Sequence, residues 1–146
     1  GGANPVSGMT DPSKSPGFST RLPGDRSAIP RFEDWLDRAA IPDPRLRDRV
    51  RLAGLEILDN LIRHSGPLEG GSVRTSLRIR AGGARLVFSF RSDKFRSFAR
   101  GGKNPRTGYN IEDGRWRGLG LVMVAFLTLH VRYVSDARSD RVEAEF

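Results

Sequence analysis

The sequence predicts a two-layer α/β sandwich, in which helices cover one face of a mixed, mostly antiparallel sheet. Two early segments carry apolar residues at helical spacing, and two later pairs of segments alternate apolar and polar residues with the period of a strand. Such alternation means that each strand presents one face to a core and the other to solvent. The 146 residues suffice for one domain with a buried core.

Two helices are expected first. Phe32, Trp35 and Leu36 have the i, i+3, i+4 spacing of a short amphipathic helix. Asp43 as N-cap and Pro44 at the first helical position then predict the start of a longer one. The apolar stripe of this second helix comprises Leu46, Val50, Ala53, Ile57 and Leu61, widened by Leu58 and Ile62.

The pattern then changes to period two. Residues 73–79 and 86–90 alternate as two strands around a glycine-containing turn at 81–84, which predicts a hairpin. Residues 93–116 show no period and contain several glycines, so they are expected to form a lid. An apolar helix then ends near Leu129.

The last elements are a pair of antiparallel strands, predicted at residues 131–133 and 142–146 around a turn. The domain is expected to span residues 30–146. Residues 1–29 are expected to form a disordered arm, because half of the first 30 residues are Gly, Pro or Ser. Residues 1–8 precede a methionine and are expected to be a cloning remnant.

Composition excludes several classes of site. The absence of cysteine rules out disulfides and thiolate metal sites, and two histidines cannot form a three-histidine site. No segment approaches the ~18–20 apolar residues of a membrane helix, and no signal peptide is visible, so a cytoplasmic protein is expected. The net charge is +8, but 22 of the 25 basic residues are arginines scattered along the chain. This charge predicts salt-sensitive anion binding without naming a partner.

The second helix carries a stripe of polar residues, Glu56, Asn60 and His64, at i, i+4 and i+8. A carboxylate and an amide oxygen one turn apart can together serve a hard cation such as Mg²⁺ and its water. The alternative is that Glu56 and Asn60 are solvated positions beside the core, with His64 favoured by the helix dipole.

A second candidate is Arg117-Gly118-Leu119-Gly120, which opens the apolar helix. Glycines at a helix N-terminus leave backbone N–H groups free to hold phosphate. Tight packing of the helix on the sheet would explain the same glycines.

These features in this order resemble the gyrase, histidine-kinase and MutL (GHKL) ATPases, whose nucleotide-binding domain has the Bergerat fold. The resemblance covers about residues 44–146. It is strongest to the stand-alone bacterial anti-sigma-factor serine/threonine protein kinases. Their N-box helix carries a Glu-x-x-x-Asn-x-x-x-His pattern, which Glu56, Asn60 and His64 match.

The resemblance implies that ATP and Mg²⁺ are the cofactors and that a serine of a partner protein is the substrate. Glu56 would be the general base, and Asn60 would ligate Mg²⁺ between the phosphates. Partners would be a small STAS-type antagonist carrying the target serine, a sigma factor and a second copy of the chain. The implied nucleotide-binding set is Asn60, His64, Asp93, Arg117, Gly118, Leu119 and Gly120.

One position departs from the family pattern. The family places an aspartate followed by glycines just past the second hairpin strand, where it hydrogen-bonds the adenine amino group. Continuing the register through Phe90 puts Ser92 at that position and Asp93 one residue late, and no glycine follows closely. A slip or bulge would restore Asp93 to the adenine pocket, and Tyr109 or Asn110 in the lid could compensate.

Three hypotheses follow. The first is an ATP-dependent serine kinase that switches partners. The second is a catalytically degenerate domain of the same fold, which regulates by binding alone. The third is a basic nucleic-acid-binding domain. The sequence argues against it, because no aromatic side chains that could stack on bases lie between the exposed strand positions Arg74, Arg78 and Arg80.

Overall fold

The computed structural model describes residues 17–64, 71–92, 124–135 and 139–146, and these form an α/β sandwich. Residues 124–127 make a helical turn. The other elements are β1 (Gly17–Pro23), α1 (Ala28–Ala39), α2 (Pro44–His64), β2 (Ser72–Arg80), β3 (Gly83–Phe90), β4 (His130–Ser135) and β5 (Asp140–Glu145).

The five strands form one sheet in the order β1-β2-β3-β5-β4. The predicted fold class is confirmed, with α1 and α2 packed on one face of this sheet. All pairings between the described strands are antiparallel. The parallel pair that would make the sheet mixed, as predicted, is not found among these strands.

Strand β1 corrects the prediction of a disordered arm over residues 1–29. Residues 17–23 pair with β2 along their whole length, with Phe18 opposite Leu77 and Leu22 opposite Val73. Leu22 is only 2% exposed, so this strand contributes to the core. Buried and exposed residues alternate along β1, as expected for a strand. This short pattern was overlooked because the longer segment around it is rich in Gly, Pro and Ser. Residues 1–16 lie outside the described residues.

Helix α1 also begins inside the predicted arm, at Ala28, whose side chain is completely buried. Asp25 organises the turn before the helix, since its Oδ1 accepts the backbone N–H of Ser27 at 2.8 Å. The predicted apolar side of the helix is confirmed, with Phe32 fully buried. The Phe32 ring lies 5.8 Å from the ring of Phe88 on β3, which joins α1 to the sheet.

Helix α2 begins at Pro44, as predicted, and Oδ1 of Asp43 accepts the backbone N–H of Arg45 at 2.9 Å. The predicted apolar stripe is buried against the sheet and α1. Gly54 allows the close approach, because a Cβ there would lie 2.5 Å from Cζ of Phe32 and 3.0 Å from Cδ2 of Leu86. In the ranges that the structure describes, no helix combines the length and apolar character needed to cross a membrane.

The hairpin of β2 and β3 turns through Gly82, which has a positive φ of 74°. Strand β5 lies between β3 and β4, so the final antiparallel pair is confirmed and joins the hairpin. Alternate residues of each strand face the helices, and the others face the open side of the sheet. The helix-facing set on β3 and β5 consists of Ala84, Leu86, Phe88, Phe90, Asp140, Val142 and Ala144.

Candidate functional site

Glu56 and Asn60 lie one turn apart on α2. The side chain of Asn60 is held in place, because its Nδ2 donates to the backbone carbonyl of Glu56 at 2.9 Å. Asn60 is only 9% exposed, so its side chain is largely enclosed by the protein. Since the amide nitrogen is engaged within the helix, Oδ1 is the atom left to accept a hydrogen bond or to ligate a cation.

Two neighbouring carboxylates on α2 have different environments. Asp59 forms ion pairs with Arg63, at 2.9 Å from Nε to Oδ2, and with Arg26, at 3.7 Å from Nη1 to Oδ1. Glu56 is half-buried, and no basic side chain in the described part of the chain forms an ion pair with it. Among the described residues, Glu56 thus differs from Asp59 in that only Asp59 forms ion pairs.

The C-terminal half of α2 lies over the end of the sheet at which β3 finishes. Near its middle, α2 contacts β3 through the Gly54–Leu86 approach. Farther along, Asp59 pairs with Arg26, which follows the end of β1. Strands β1 and β3 both run antiparallel to β2 and so finish at the same end of the sheet. The turn of α2 that carries Asn60 is therefore at this end.

A second polar cluster lies at the same end of the sheet, on its helix-facing side. The backbone N–H of Ser92, just past β3, donates to Oδ2 of Asp140 at 2.9 Å. The hydroxyl of Ser135, the last residue of β4, donates to Oδ1 of the same carboxylate at 2.6 Å. Ser92 and Asp140 are both 0% exposed. The Asp140 carboxylate thus joins the ends of three adjacent strands.

Ser92 lies where the register of β3 predicts, buried on the helix-facing side of the sheet. Sequence reasoning missed Asp140, although the sequence carries a signal for it. The alternation of Val142, Ala144 and Phe146 places position 140 on the same buried face, where an apolar residue is expected. A carboxylate at such a position indicates a specific polar role.

The opposite face of β5 carries a second buried carboxylate, Glu143, surrounded by arginines. Its oxygens lie 2.7 Å from Arg132 Nη2, 3.1 Å from Arg141 Nε and 3.1 Å from Arg85 Nη2. Burial alone would raise the pKa of Glu143, but hydrogen bonds from Arg132 and Arg141 and the charge of Arg85 hold it below its ordinary value. This cluster neutralises part of the basic charge on the open face.

Several predicted site residues cannot be placed in this geometry. His64 is the last residue of α2, and its side chain lies outside the described residues. The predicted lid, residues 93–116, also lies outside them, with Tyr109 and Asn110. The same holds for the remaining members of the predicted nucleotide-binding set, which are Asp93, Arg117, Gly118, Leu119 and Gly120.

The described residues contain no group of three or more His, Cys, Asp or Glu side chains that could hold a metal ion. A cation bound by Asn60 would therefore need most of its ligands from elsewhere. Mg²⁺ suits such a position, because it commonly takes one or two protein oxygens and completes its shell with phosphate oxygens and water.

Fold and site together define an α/β domain in which helix α2 and the central strands carry polar groups at the same end of the sheet. A family model, described as the histidine kinase-like ATPase domain, matches residues 25–145. The chain belongs to this family. The match confirms the predicted resemblance at the level of the ATPase domain and supports ATP binding. A comparison with the curated proteins found no match.

Proposed function

We propose that the chain is an ATP-dependent protein serine kinase that acts as a partner-switching, anti-sigma-type regulator. Membership of the histidine kinase-like ATPase family supports the ATP-binding part of this proposal. The catalytic part is carried by the contrast between two carboxylates on α2: Asp59 forms ion pairs with two arginines, whereas Glu56 has no ion pair within the described ranges. A carboxylate one turn from a fixed amide is suited to a general base beside a cation site.

Asn60 would hold Mg²⁺ through Oδ1. The residue fits this role because its Nδ2 is bonded to the helix backbone, which presents the oxygen, the ligand type that Mg²⁺ prefers. When bound, Mg²⁺ would neutralise charge on the phosphates during transfer. The burial of Asn60 would keep the amide in one orientation and so fix the position of the ligand.

Glu56 would accept the proton of the attacking serine hydroxyl. In this transfer a bond forms between the serine oxygen and the γ-phosphorus, and the bond from the γ-phosphorus to the departing ADP oxygen breaks. The serine proton passes to a carboxylate oxygen of Glu56. The proposed substrate is a small STAS-type protein carrying the serine. A sigma factor and a second copy of the chain are the other proposed partners, and the resemblance in the Glu56-Asn60-His64 pattern supports them.

The test of the base is phosphoryl transfer from radiolabelled ATP to STAS-type proteins, with ATP affinity measured by calorimetry. Glu56→Gln should lower the transfer rate by about 10²–10⁴-fold, because it removes the proton acceptor, and should leave ATP affinity unchanged. Asp59→Asn is the matched control, since it removes a neighbouring carboxylate that is ion-paired with Arg63 and Arg26, and it should retain transfer. Transfer by Glu56→Gln at the wild-type rate would remove Glu56 as the base.

The test of the metal ligand compares ATP affinity in Mg²⁺ with affinity in a chelator. Asn60→Ala should weaken binding of magnesium-bound ATP and have a smaller effect on metal-free ATP, because only the first uses Oδ1. Equal losses in the two conditions would contradict the ligand role.

The second candidate is a catalytically degenerate domain that regulates by protein binding alone. It is favoured by one observation: Ser92, not an aspartate, occupies the buried position at the end of β3. If wild-type protein shows no binding at millimolar ATP, this candidate replaces the kinase.

A further inference from the structure

A depression on the open face of the sheet collects basic and hydroxyl side chains. It lies near the ends of β1 and β3 and has a volume of about 390 Å³. Its polar side chains are three arginines and three serines, namely Arg21, Arg74, Arg91, Ser72, Ser89 and Ser139. No carboxylate of the described residues lines it. The proposed phosphoryl transfer does not use this depression, because Glu56 and Asn60 lie on α2, which packs on the opposite face of the sheet.

Strand register places two of these arginines side by side. Arg21 on β1 lies directly opposite Arg74 on β2, and Arg74 lies directly opposite Ser89 on β3. Side chains of directly paired residues project from the same face of a sheet, with Cβ atoms about 4.5–5.5 Å apart. Like charges in such a pair destabilise the sheet. The two arginines therefore reduce stability unless an anion lies beside their guanidinium groups.

The described residues supply no counter-charge to this pair. Nη1 of Arg21 donates to Oγ of Ser72 at 3.2 Å, and this partner is neutral. Neither Arg21 nor Arg74 forms an ion pair in the described part of the chain. Arg85, elsewhere on the open face, differs from them, since its Nη2 lies 3.1 Å from Oε1 of Glu143. Among the described residues, the basic charge is thus balanced beside Glu143 and left unbalanced at Arg21 and Arg74.

We propose that this depression binds a phosphate monoester. Such a group carries a charge of about −1.5 to −2 at pH 7 and presents three acceptor oxygens. Guanidinium groups donate pairs of parallel hydrogen bonds to phosphate, and a hydroxyl such as that of Ser89 donates one more. A carboxylate brings a single charge and two oxygens to the same donors, so it matches the site less well.

This inference goes beyond the proposed function and does not depend on ATP binding. A phosphorylated serine and a small phosphorylated metabolite share the chemistry that the depression recognises. The test therefore uses a probe for each source. One is a short peptide with a single phosphoserine, and the other is glycerol 3-phosphate. The same peptide with glutamate in place of phosphoserine serves as the carboxylate control.

Each probe is titrated into ¹⁵N-labelled protein at constant, low ionic strength, and amide shifts are followed by NMR. At least one phosphate ester should bind saturably with one equivalent, and the signals that shift should include those of Arg21, Arg74 and Ser89. Arg74→Gln should weaken binding by about tenfold or more, because it removes a charge-assisted hydrogen bond. Arg80→Gln is the matched control and should bind nearly as wild type, since it removes the same charge from an exposed position at the other end of β2.

Arg21→Gln is a second variant, with the same expected loss as Arg74→Gln, and thermal unfolding shows whether each variant folds. Tighter binding of the phosphopeptide assigns the site to a phosphorylated protein, whereas equal or tighter binding of glycerol 3-phosphate assigns it to a metabolite. Equal weakening by Arg74→Gln and Arg80→Gln would show attraction by net charge alone and would overturn the site. Lack of saturable binding of both phosphate esters, or equal affinity for the glutamate peptide, would also overturn it.

Discussion

Gly54 controls how closely α2 approaches the sheet, and replacing it tests the packing that positions Glu56 and Asn60. A Cβ at position 54 would lie 2.5 and 2.9 Å from two atoms of the Phe32 ring and 3.0 Å from Leu86 Cδ2. Real Cβ atoms essentially never lie closer than 3.0 Å to another heavy atom, as this one would to the Phe32 ring, so the ring or the helix must move.

The magnitude is a balance of two effects. Alanine is the better helix former and would stabilise the folded chain by about 1 kcal/mol relative to glycine. Overpacking a filled core costs about 1–3 kcal/mol. We expect the upper end of that range, because Phe32 is fully buried and its ring packs beside those of Trp35 and Phe88, at centroid distances of 6.0 and 5.8 Å. Gly54→Ala should therefore lower the free energy of unfolding by about 2 kcal/mol.

Urea unfolding, followed by far-UV circular dichroism, measures this change, and a decrease in Tm of about 4–12 °C should accompany it. Leu52→Ala is the control on α2, since Leu52 is 37% exposed and lies outside the contact. The double variant Phe32→Leu/Gly54→Ala should lose less free energy of unfolding than the sum of the losses of the two single variants, because the smaller leucine side chain relieves the clash with the new Cβ. A Gly54→Ala protein that is more stable than wild type would show that α2 does not approach the sheet this closely.

Two further variants test the strand and the cluster that sequence reasoning did not find. Leu22→Ala should lower the free energy of unfolding, measured by urea titration, by about 2–4 kcal/mol, because it leaves a cavity where β1 contributes to the core. Arg21→Ala is the control and should change this free energy little, since Arg21 is exposed. Equally small effects of the two substitutions would mean that β1 does not pack on the core. Glu143 has a pKa held below its ordinary value of 4.5, so its contribution to stability is present above about pH 4.5 and is lost as pH falls through the folded-state pKa. Glu143→Gln should therefore be less stable at neutral pH and should show a flatter decline in acid, and a decline parallel to that of wild type would contradict the arginine cluster.

The elements that sequence could predict are those whose signal is local. Helix α2 is specified by Asp43 and Pro44 at its start and by an apolar stripe of the helical period, and each of these is found where it was predicted. Strand β1 was missed because its seven residues gain their stability from β2, which lies about 50 residues farther along the chain. Phe18 and Leu22 are the only large apolar residues on its buried side. Two such residues do not change the overall composition of a segment rich in Gly, Pro and Ser, which is the property on which the prediction of a disordered arm was based.

The candidate site divides in the same way. The spacing of Glu56 and Asn60 is a property of one helix and could be predicted from the sequence. The ion pairs of Asp59 distinguish it from Glu56, and the pair with Arg26 forms only because the end of β1 lies beside α2 in the folded chain. The pattern therefore names candidates, and tertiary contacts distinguish one candidate from the other.

The position of Asp140 depends on topology most of all. Alternation with Val142 and Ala144 assigns it to the buried face, yet nothing local indicates which strand lies beside it. Because β5 inserts between β3 and β4, Asp140 meets the residue after β3, namely Ser92, across 48 positions of sequence. Reading β3 alone suggests a lost adenine contact at Ser92. Reading β3 and β5 together shows a carboxylate that accepts a hydrogen bond from the backbone of that position, so a polar group of the neighbouring strand meets the residue that follows β3.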